Sequence, residues 1–276
     1  MRTALLQLNS GDDPATNLPV TLSMVDRAMA EGSQFVLTPE VTNCVSASRS
    51  HQRDVLHPEA DDPTLAALRD RAATHGIWLL IGSLALRTDD SDMRFANRSF
   101  LIDPQGDIVA RYDKIHMFDV DISDTESYRE SAGFRPGARA VMAPMPIGSL
   151  GMSVCYDLRF PHLYRRLAQA GAAVLSVPAA FSPVSGAAHW EVLLRARAIE
   201  TGCYVLAPAQ TGTHAASRGR ARQTHGHSLA VDPWGTVLAD GGSAPGLVTI
   251  DLDPEKVAET RRRIPSLFND MPFDGP

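Results

Sequence analysis

"GSLGMSVCYDLRFPHLYRRLAQAGAAVLSVPAA", Gly148 to Ala180, holds one complete strand, helix and strand in succession, and its reading decides the fold. "GSLGMSVC" is a short apolar run that ends on Cys155, the helical stretch runs from Pro161 to Ala170, and "AAVLSVPAA" is a second buried run. Polar and charged residues follow Cys155 at once, in "CYDLRFP". A thiol that serves only as core packing does not need that company.

The same alternation extends in both directions. Downstream come a helix over "AHWEVLLRARAIETG" and a strand over "CYVLAPAQ". "HSLAVDPWGTVLAD" follows as strand, turn and strand, with Pro233 to Gly235 as the turn, and then the strand "LVTIDLD" and a short basic helix. Upstream, "TALLQLNS" opens the chain as a strand, and Asn17 to Glu31 carries Leu18, Leu22, Val25 and Met29 at helical spacing. "QFVLTPE" is a buried strand with Glu40 at its C-terminal end. A helix over Pro63 to His75 and a strand over Ile77 to Leu86 repeat the pattern. "FANRSFLIDPQGDIVARYDKIH" is read as two strands about the turn "DPQGD", with Lys114 ending the second, and Met117 to Arg139 as irregular chain. Strands alternating with helices imply an α/β protein with helices packed over sheets. Two sheet-like groups, one in each half, with no Gly-, Ser- or Pro-rich linker between them, are read as a single domain over residues 1–276.

Composition narrows the function classes. Hydrophobic residues make up 44% and charged residues 21%, as in an ordinary globular protein. Lys+Arg 26 against Asp+Glu 32 leaves a formal charge of −6, which argues against a nucleic-acid or anionic-membrane partner. No window approaches the ~20 apolar residues of a membrane helix, and the first residues lack a signal-peptide pattern. Cys44, Cys155 and Cys203 form neither a disulfide framework nor a CxxC pair, so the expectation is a reducing cytoplasm.

Functional residues of α/β folds gather where strands end at their carboxyl edges. Glu40, Lys114 and Cys155 each fall at such an end. A thiol with a pKa near ~8.5 is mostly protonated at neutral pH and needs a base or a cation beside it to become a nucleophile. A carboxylate would take the proton. A lysine would stabilise a thiolate and, with the backbone N–H of Tyr156, the oxyanion of a tetrahedral intermediate. The set fits attack on a carbonyl or nitrile carbon through a thioester. Taken singly, each residue also fits a plain structural reading: a packed small thiol, a capping or ion-paired carboxylate, a solvated lysine.

The blocks "LTPE", "YDKIHMFDVDI", "SVCYDLRFP", "AHWEVLLRARAIE" and "HGHSLAVDPWGTVLAD" resemble, in order, the motifs of the nitrilase superfamily of carbon–nitrogen hydrolases. Within it they are most similar to the Nit branch, which contains deaminated glutathione amidases and omega-amidases. The resemblance implies an α-β-β-α sandwich, no cofactor, and pairing into a homodimer or larger homo-oligomer through the helical face beside the cysteine. It implies Glu40 as general base, Lys114 as oxyanion-stabilising lysine, Cys155 as nucleophile and Glu130 of "YRES" as the second glutamate that positions Lys114. The implied reaction converts a small carboxylate-bearing amide, deaminated glutathione first, to acid and ammonia. Omega-amidase action on 2-oxoglutaramate or 2-oxosuccinamate, N-carbamoyl amino acid hydrolysis and a non-enzymatic scaffold are the alternatives. Arg159 matches a position that holds a substrate carboxylate in related enzymes, although an ion pair with Asp157 fits it as well. Tyr156 and Phe181 are the expected pocket walls, with core packing the alternative for Phe181. Where the subgroup usually reads "RFPE", this chain reads "RFPH" with His162, which bears on recognition or on a surface contact.

Other features are read as structural. His225 and His227 in "HGH" lack an acidic or cysteine partner set and are not taken as metal ligands. His189 raises a Cys–His protease reading, but the surrounding protease signatures are missing. Arg195, Arg197 and Trp190 are assigned to helix packing or a dimer face, Cys44 to a loop and Cys203 to a strand core.

Overall fold

The computed structural model describes residues 1–123 and 126–275. In chain order the first half contains β1 (Arg2–Gln7), α1 (Pro14–Ala30), β2 (Phe35–Leu37), α2 (Arg49–Val55), α3 (Pro63–His75), β3 (Trp78–Leu86), β4 (Ala96–Ile102) and β5 (Ile108–Asp113). A small hairpin, β6 (Asp119–Ser123) and β7 (Glu126–Arg129), leads to β8 (Val141–Ala143), β9 (Ser149–Met152), α4 (Pro161–Gln169), β10 (Ala172–Ser176), α5 (Pro183–Thr201) and β11 (Tyr204–Ala207). A second hairpin, β12 (Thr211–Thr213) and β13 (Gln223–His225), precedes β14 (Leu229–Val231), β15 (Val237–Asp240), β16 (Gly246–Asp251) and α6 (Pro254–Arg263).

These strands form two six-stranded sheets, ordered β16-β1-β2-β3-β4-β5 and β15-β14-β11-β10-β9-β8. Each has three parallel strands at its centre, β1–β2–β3 and β11–β10–β9, flanked by antiparallel strands. The period of two in the sequence becomes two faces. Leu5, Leu37, Leu80 and Leu101 join the cluster that reaches the second sheet, while their neighbours Leu6, Val36, Leu79 and Ile102 pack with Val25, Leu65 and Leu68 of α1 and α3. Leu163 and Leu167 of α4 and Trp190 and Leu194 of α5 cover the second sheet. The layers are therefore helix, sheet, sheet, helix, as the resemblance implied.

The sheets also meet at strand ends, where Leu8 after β1 pairs with Gln210 after β11 in an isolated parallel bridge, and Ala179 with Ala209 extends the β10–β11 pairing beside it. Gly82 in β3 makes room beside that seam. A Cβ at Gly82 would stand 2.0 Å from the Thr38 carbonyl oxygen and 2.6 Å from that of Pro39, so the chain entering Glu40 can cross only over a glycine.

Several elements differ from the sequence reading. Part of the stretch read as irregular, Met117 to Arg139, is the β6–β7 hairpin and a 3-10 turn over Glu130–Ala132; the alternation of Asp119, Val120, Asp121 and Ile122 is its short sequence signal. α5 begins at Pro183, five residues before Ala188, because a proline suits the first helical position even when "VSG" follows it. α2, the three-residue apolar strand β8 and the polar strands β12 and β13 were not anticipated. Elsewhere the bounds agree closely, and α3 spans the residues expected of it.

Candidate active site

Cys155 opens a 3-10 turn, Cys155–Arg159, directly after β9. Its φ is 49°, a left-handed conformation that costs a non-glycine residue free energy and is held here by neighbours. The Cys155 N–H donates to the Pro178 carbonyl at 2.9 Å, tying the turn to the end of β10. Asp157, fully buried, fastens the rest. It accepts from Tyr112 Oη at 2.6 Å, from the Val154 N–H at 2.9 Å, and from the His116 N–H and Nδ1 at 2.9 and 2.7 Å. His116 stacks on Phe160 with ring centroids 3.5 Å apart. Arg197 Nε donates to the Leu158 carbonyl at 3.0 Å from α5. The nucleophile turn is thus bolted to β5, to the segment after Lys114 and to α5.

Glu40, Lys114 and Cys155 converge at the floor of a cavity of about 690 Å³, and they are 4%, 2% and 7% exposed. Lys114 Nζ donates to Glu40 Oε1 at 2.9 Å and to Glu130 Oε1 and Oε2 at 3.0 and 2.8 Å. Glu130 is delivered by the unanticipated hairpin and accepts from the Phe118 N–H at 2.6 Å. Glu40 Oε2 accepts from the Ala180 N–H at 2.8 Å, and the Glu40 carbonyl accepts from Gln210 Nε2 at 3.1 Å. Sequence reasoning missed Asn97. Its Nδ2 donates to Glu40 Oε1 at 2.9 Å and to Glu130 Oε1 at 3.3 Å, bridging the two carboxylates. A lone amide at a buried position of the strand "ANRSFLI" was the available signal.

Burial works against an ionised Glu40, yet the Lys114 ammonium and hydrogen bonds from Lys114, Cys155 and Asn97 outweigh it and hold the carboxyl below its ordinary value. Burial and the neighbouring Glu40 carboxylate push the Cys155 thiol well up, with Lys114 offsetting only part. Lys114 is held charged by Glu130 and Glu40 in spite of its burial. The resting floor is therefore a thiol beside a carboxylate, in place of the lysine-stabilised thiolate that the sequence reading allowed.

Tyr156 and Phe181 line the cavity, and Phe181 also packs against Trp190 with ring centroids 5.0 Å apart. Arg159 lies behind that wall, its guanidinium 5.9 Å from the Tyr156 ring centroid and 5.3 Å from that of Phe181. The ion pair with Asp157 does not form, because Tyr112 and His116 occupy that carboxylate. The polar neighbour of Arg159 is His189 Nδ1 at 3.3 Å, which sets His189 apart from any pairing with the nucleophile. His162 packs edge-on against His116 and Phe160. His225 stacks on His227, which pairs with Asp240 at 3.0 Å. Among the described residues no group of three or more His, Cys, Asp or Glu could hold a metal ion, and no helix is long and apolar enough to cross a membrane.

Comparison with known proteins agrees with this geometry. The sequence model of the carbon–nitrogen hydrolase family matches residues 2–262. A deaminated glutathione amidase of Yersinia enterocolitica is 42% identical over 265 residues, covering 96% of this chain and 91% of that protein. The Homo sapiens deaminated glutathione amidase is 37% identical over 266 residues, 95% of this chain and 80% of that protein. Among solved structures, the C. elegans NitFhit protein superposes with a TM-score of 0.88 at 36% identity; the match covers 98% of this chain and spans 64% of NitFhit. A mutant amidase from Nesterenkonia sp. AN1, with acrylamide added at its active-site cysteine, gives a TM-score of 0.77 at 27% identity, covering 96% of this chain and 98% of that one.

Proposed function

The chain belongs to the carbon–nitrogen hydrolase family, and from that premise we propose that Cys155, Glu40, Lys114 and Glu130 hydrolyse a small carboxylate-bearing amide, deaminated glutathione first, through a thioester. The observation that carries the reading is the thiol, carboxylate and ammonium buried together at the floor of one cavity.

The chemistry follows from the charges. With Glu40 and Glu130 ionised and Lys114 protonated, the floor carries a net charge of −1, and a free thiolate would make it −2. Proton transfer from Cys155 to Glu40 during attack avoids that state. The C–S bond forms while the carbonyl π pair moves onto oxygen. An ammonium has three N–H donors. One serves Glu40 and one is shared over the two Glu130 oxygens, leaving a third for the oxyanion beside the Tyr156 N–H, which sits in the first turn of a helix where donors lack helical acceptors. Collapse breaks the C–N bond, and Glu40 returns its proton to the departing nitrogen. From a primary amide that group is ammonia; from deaminated glutathione it is the amine of the cysteinyl-glycine portion. Water then attacks the thioester, Glu40 takes the water's proton, and the sulfur leaves and is reprotonated. Glu130 and Asn97 hold Lys114 and Glu40 in register throughout. Arg159 is assigned the carboxylate of the acyl portion, a role supported by its lack of an acidic partner among the described residues; because it stands outside the cavity lining, beyond Tyr156 and Phe181, the role requires those rings to part.

On the same reading the enzyme is a single catalytic domain without a cofactor, works in the cytoplasm and pairs with a second copy through α5. Val192 and Ile199, 68% and 56% exposed, support that pairing surface. The test is acid formation from deaminated glutathione, 2-oxoglutaramate, 2-oxosuccinamate and an N-carbamoyl amino acid in parallel, with Cys155→Ala as the blank. The expected result is preference for deaminated glutathione and a loss of about 10⁴-fold or more in Cys155→Ala, which stays folded. Equal activity in Cys155→Ala would overturn the mechanism, and preference for a short amide would overturn the substrate.

A further inference from the structure

The mouth of the cavity is lined by guanidinium groups that the chemistry at the floor does not use. Arg49, at the start of α2, and Arg220 and Arg222, on the segment between β12 and β13, face the same space as Cys155. None of the three has an ion pair among the described residues, whereas Arg129, also at the wall, is held by Asp121 at 2.8 and 2.9 Å. Arg222 is half-buried, stands 5.9 Å from the centroid of the Tyr128 ring, and has a buried Nε with no hydrogen-bond partner. A buried donor left unpaired is costly and calls for an acceptor. Arg49 lies across Gly133, where a Cβ would come within 3.0 Å of its Nε, so the glycine after the Glu130 turn lets this side chain lie along the wall.

Resting on the amidase reading above, the geometry points to a second anion subsite at the mouth, in which Arg49 and Arg222, assisted by Arg220, bind the terminal carboxylate of an extended leaving group. Two features favour a peptide-like carboxylate. The floor carries net negative charge, so a substrate's own carboxylates must be held away from it while the neutral amide sits over Cys155. Arg159 stands outside the cavity lining, over the Tyr156 and Phe181 rings, so it is not available to the longer arm at the mouth. The mouth arginines come from other elements and suit the longer arm that departs. A planar guanidinium pairs with a carboxylate through two parallel hydrogen bonds, which gives direction as well as charge.

The test compares deaminated glutathione with the same compound capped as its terminal methyl amide, for the wild type, Arg49→Gln, Arg222→Gln and the double variant. Arg49 is exposed, so its single variant keeps a folded protein even if Arg222→Gln does not. The expected wild-type preference for the free carboxylate is about 10-fold or more in kcat/KM, carried mainly by KM and shrinking as salt is raised. It falls to about 2-fold or less in the double variant and partly in each single one. A wild type that hydrolyses both compounds equally well would overturn the subsite and leave the amidase reading intact. So would a preference that survives the double variant. A wild type that hydrolyses neither would overturn the amidase reading, and the subsite with it.

Discussion

Lys114 at the floor of the cavity and Arg222 at its mouth are both cations facing the same space, but their surroundings are opposite. Lys114 is 2% exposed and held by two carboxylates, which are themselves bridged by Asn97 and capped by the N–H groups of Phe118 and Ala180. Arg222 and Arg49 have no acidic partner among the described residues, and the Arg222 Nε is unsatisfied. A network in which each group is positioned by several others fixes atoms for chemistry, and its open positions, the third Lys114 donor and the unpartnered Asn97 Oδ1, lie beside the reacting carbon's place. Cations left open at the rim leave the charge free to meet a ligand. The difference separates a rigid reacting centre from a recognition surface, and each region has its own failure mode.

The largest effect should come from the floor. Glu40→Gln keeps the shape but removes the proton acceptor and one of the two charges on Lys114, so kcat should fall on the order of 10³-fold with the fold retained. Steady-state rates with circular dichroism in parallel check this, and a loss below ~10-fold would remove Glu40 as the base.

Acid acts on the segment at the mouth through His214. His214 lies on the β12–β13 segment that carries Arg220 and Arg222, and its Nδ1 donates to the Ser10 carbonyl at 2.7 Å while Nε2 accepts from the Thr224 hydroxyl at 2.7 Å. The carbonyl can only accept, so Nδ1 carries a hydrogen, and burial lowers the ring's pKa to about 4, which keeps it neutral at pH 7 with Nε2 accepting from the hydroxyl. Between pH ~6.5 and ~4 the unfolded chain binds the proton and the folded one does not. The contribution is therefore complete above pH ~6.5 and is lost as pH falls toward the folded value, up to ~3 kcal/mol. Denaturant melts of the wild type across that range should show the decline, and His214→Gln should flatten it. Glu40 is held below its ordinary value and the folded His214 stays neutral down to about pH 4, so a loss of activity at mildly acidic pH should track loss of the folded state and not protonation of the base.

Asn97→Leu removes the bridge between the two carboxylates at near-constant volume. A fall of about 10- to 100-fold in kcat with a smaller change in KM is expected, in line with hydrogen bonds to charged acceptors. A purely structural role would instead lower stability and leave kcat of the folded enzyme alone. The smallest effect belongs to Asp54→Asn, which breaks the ion pair from α2 to Arg218 at 2.6 Å. Both side chains are more than half exposed, so stability should change by less than ~1 kcal/mol in thermal melts.

Much of the architecture was legible beforehand because periodicity reports which side of an element is apolar. β1, α1, α3, β3, β4 and β10 follow from it, and so does the placement of Glu40, Lys114 and Cys155 at strand ends. The β6–β7 hairpin was passed over because its apolar period, Val120 and Ile122 among acidic residues, spans a single short strand and is not repeated in its partner "ESYR", and with it went the device that brings Glu130 to Lys114. Asn97 was missed for a related reason. A buried amide in a strand reads as an anomaly until its two acceptors, 57 and 33 residues away, are seen.

The sequence by itself determined the alternation of strands and helices, the α/β class, and the set of residue types able to attack and hydrolyse an amide. Only the tertiary structure decided that Lys114 reaches across 74 residues to Glu40, that the thiol rests protonated beside it, and that unpaired arginines from two separate segments share the cavity mouth. The reason is physical: local pattern encodes which face is buried, whereas pKa values and binding surfaces depend on what distant strand ends and loops place within a few ångströms of one another.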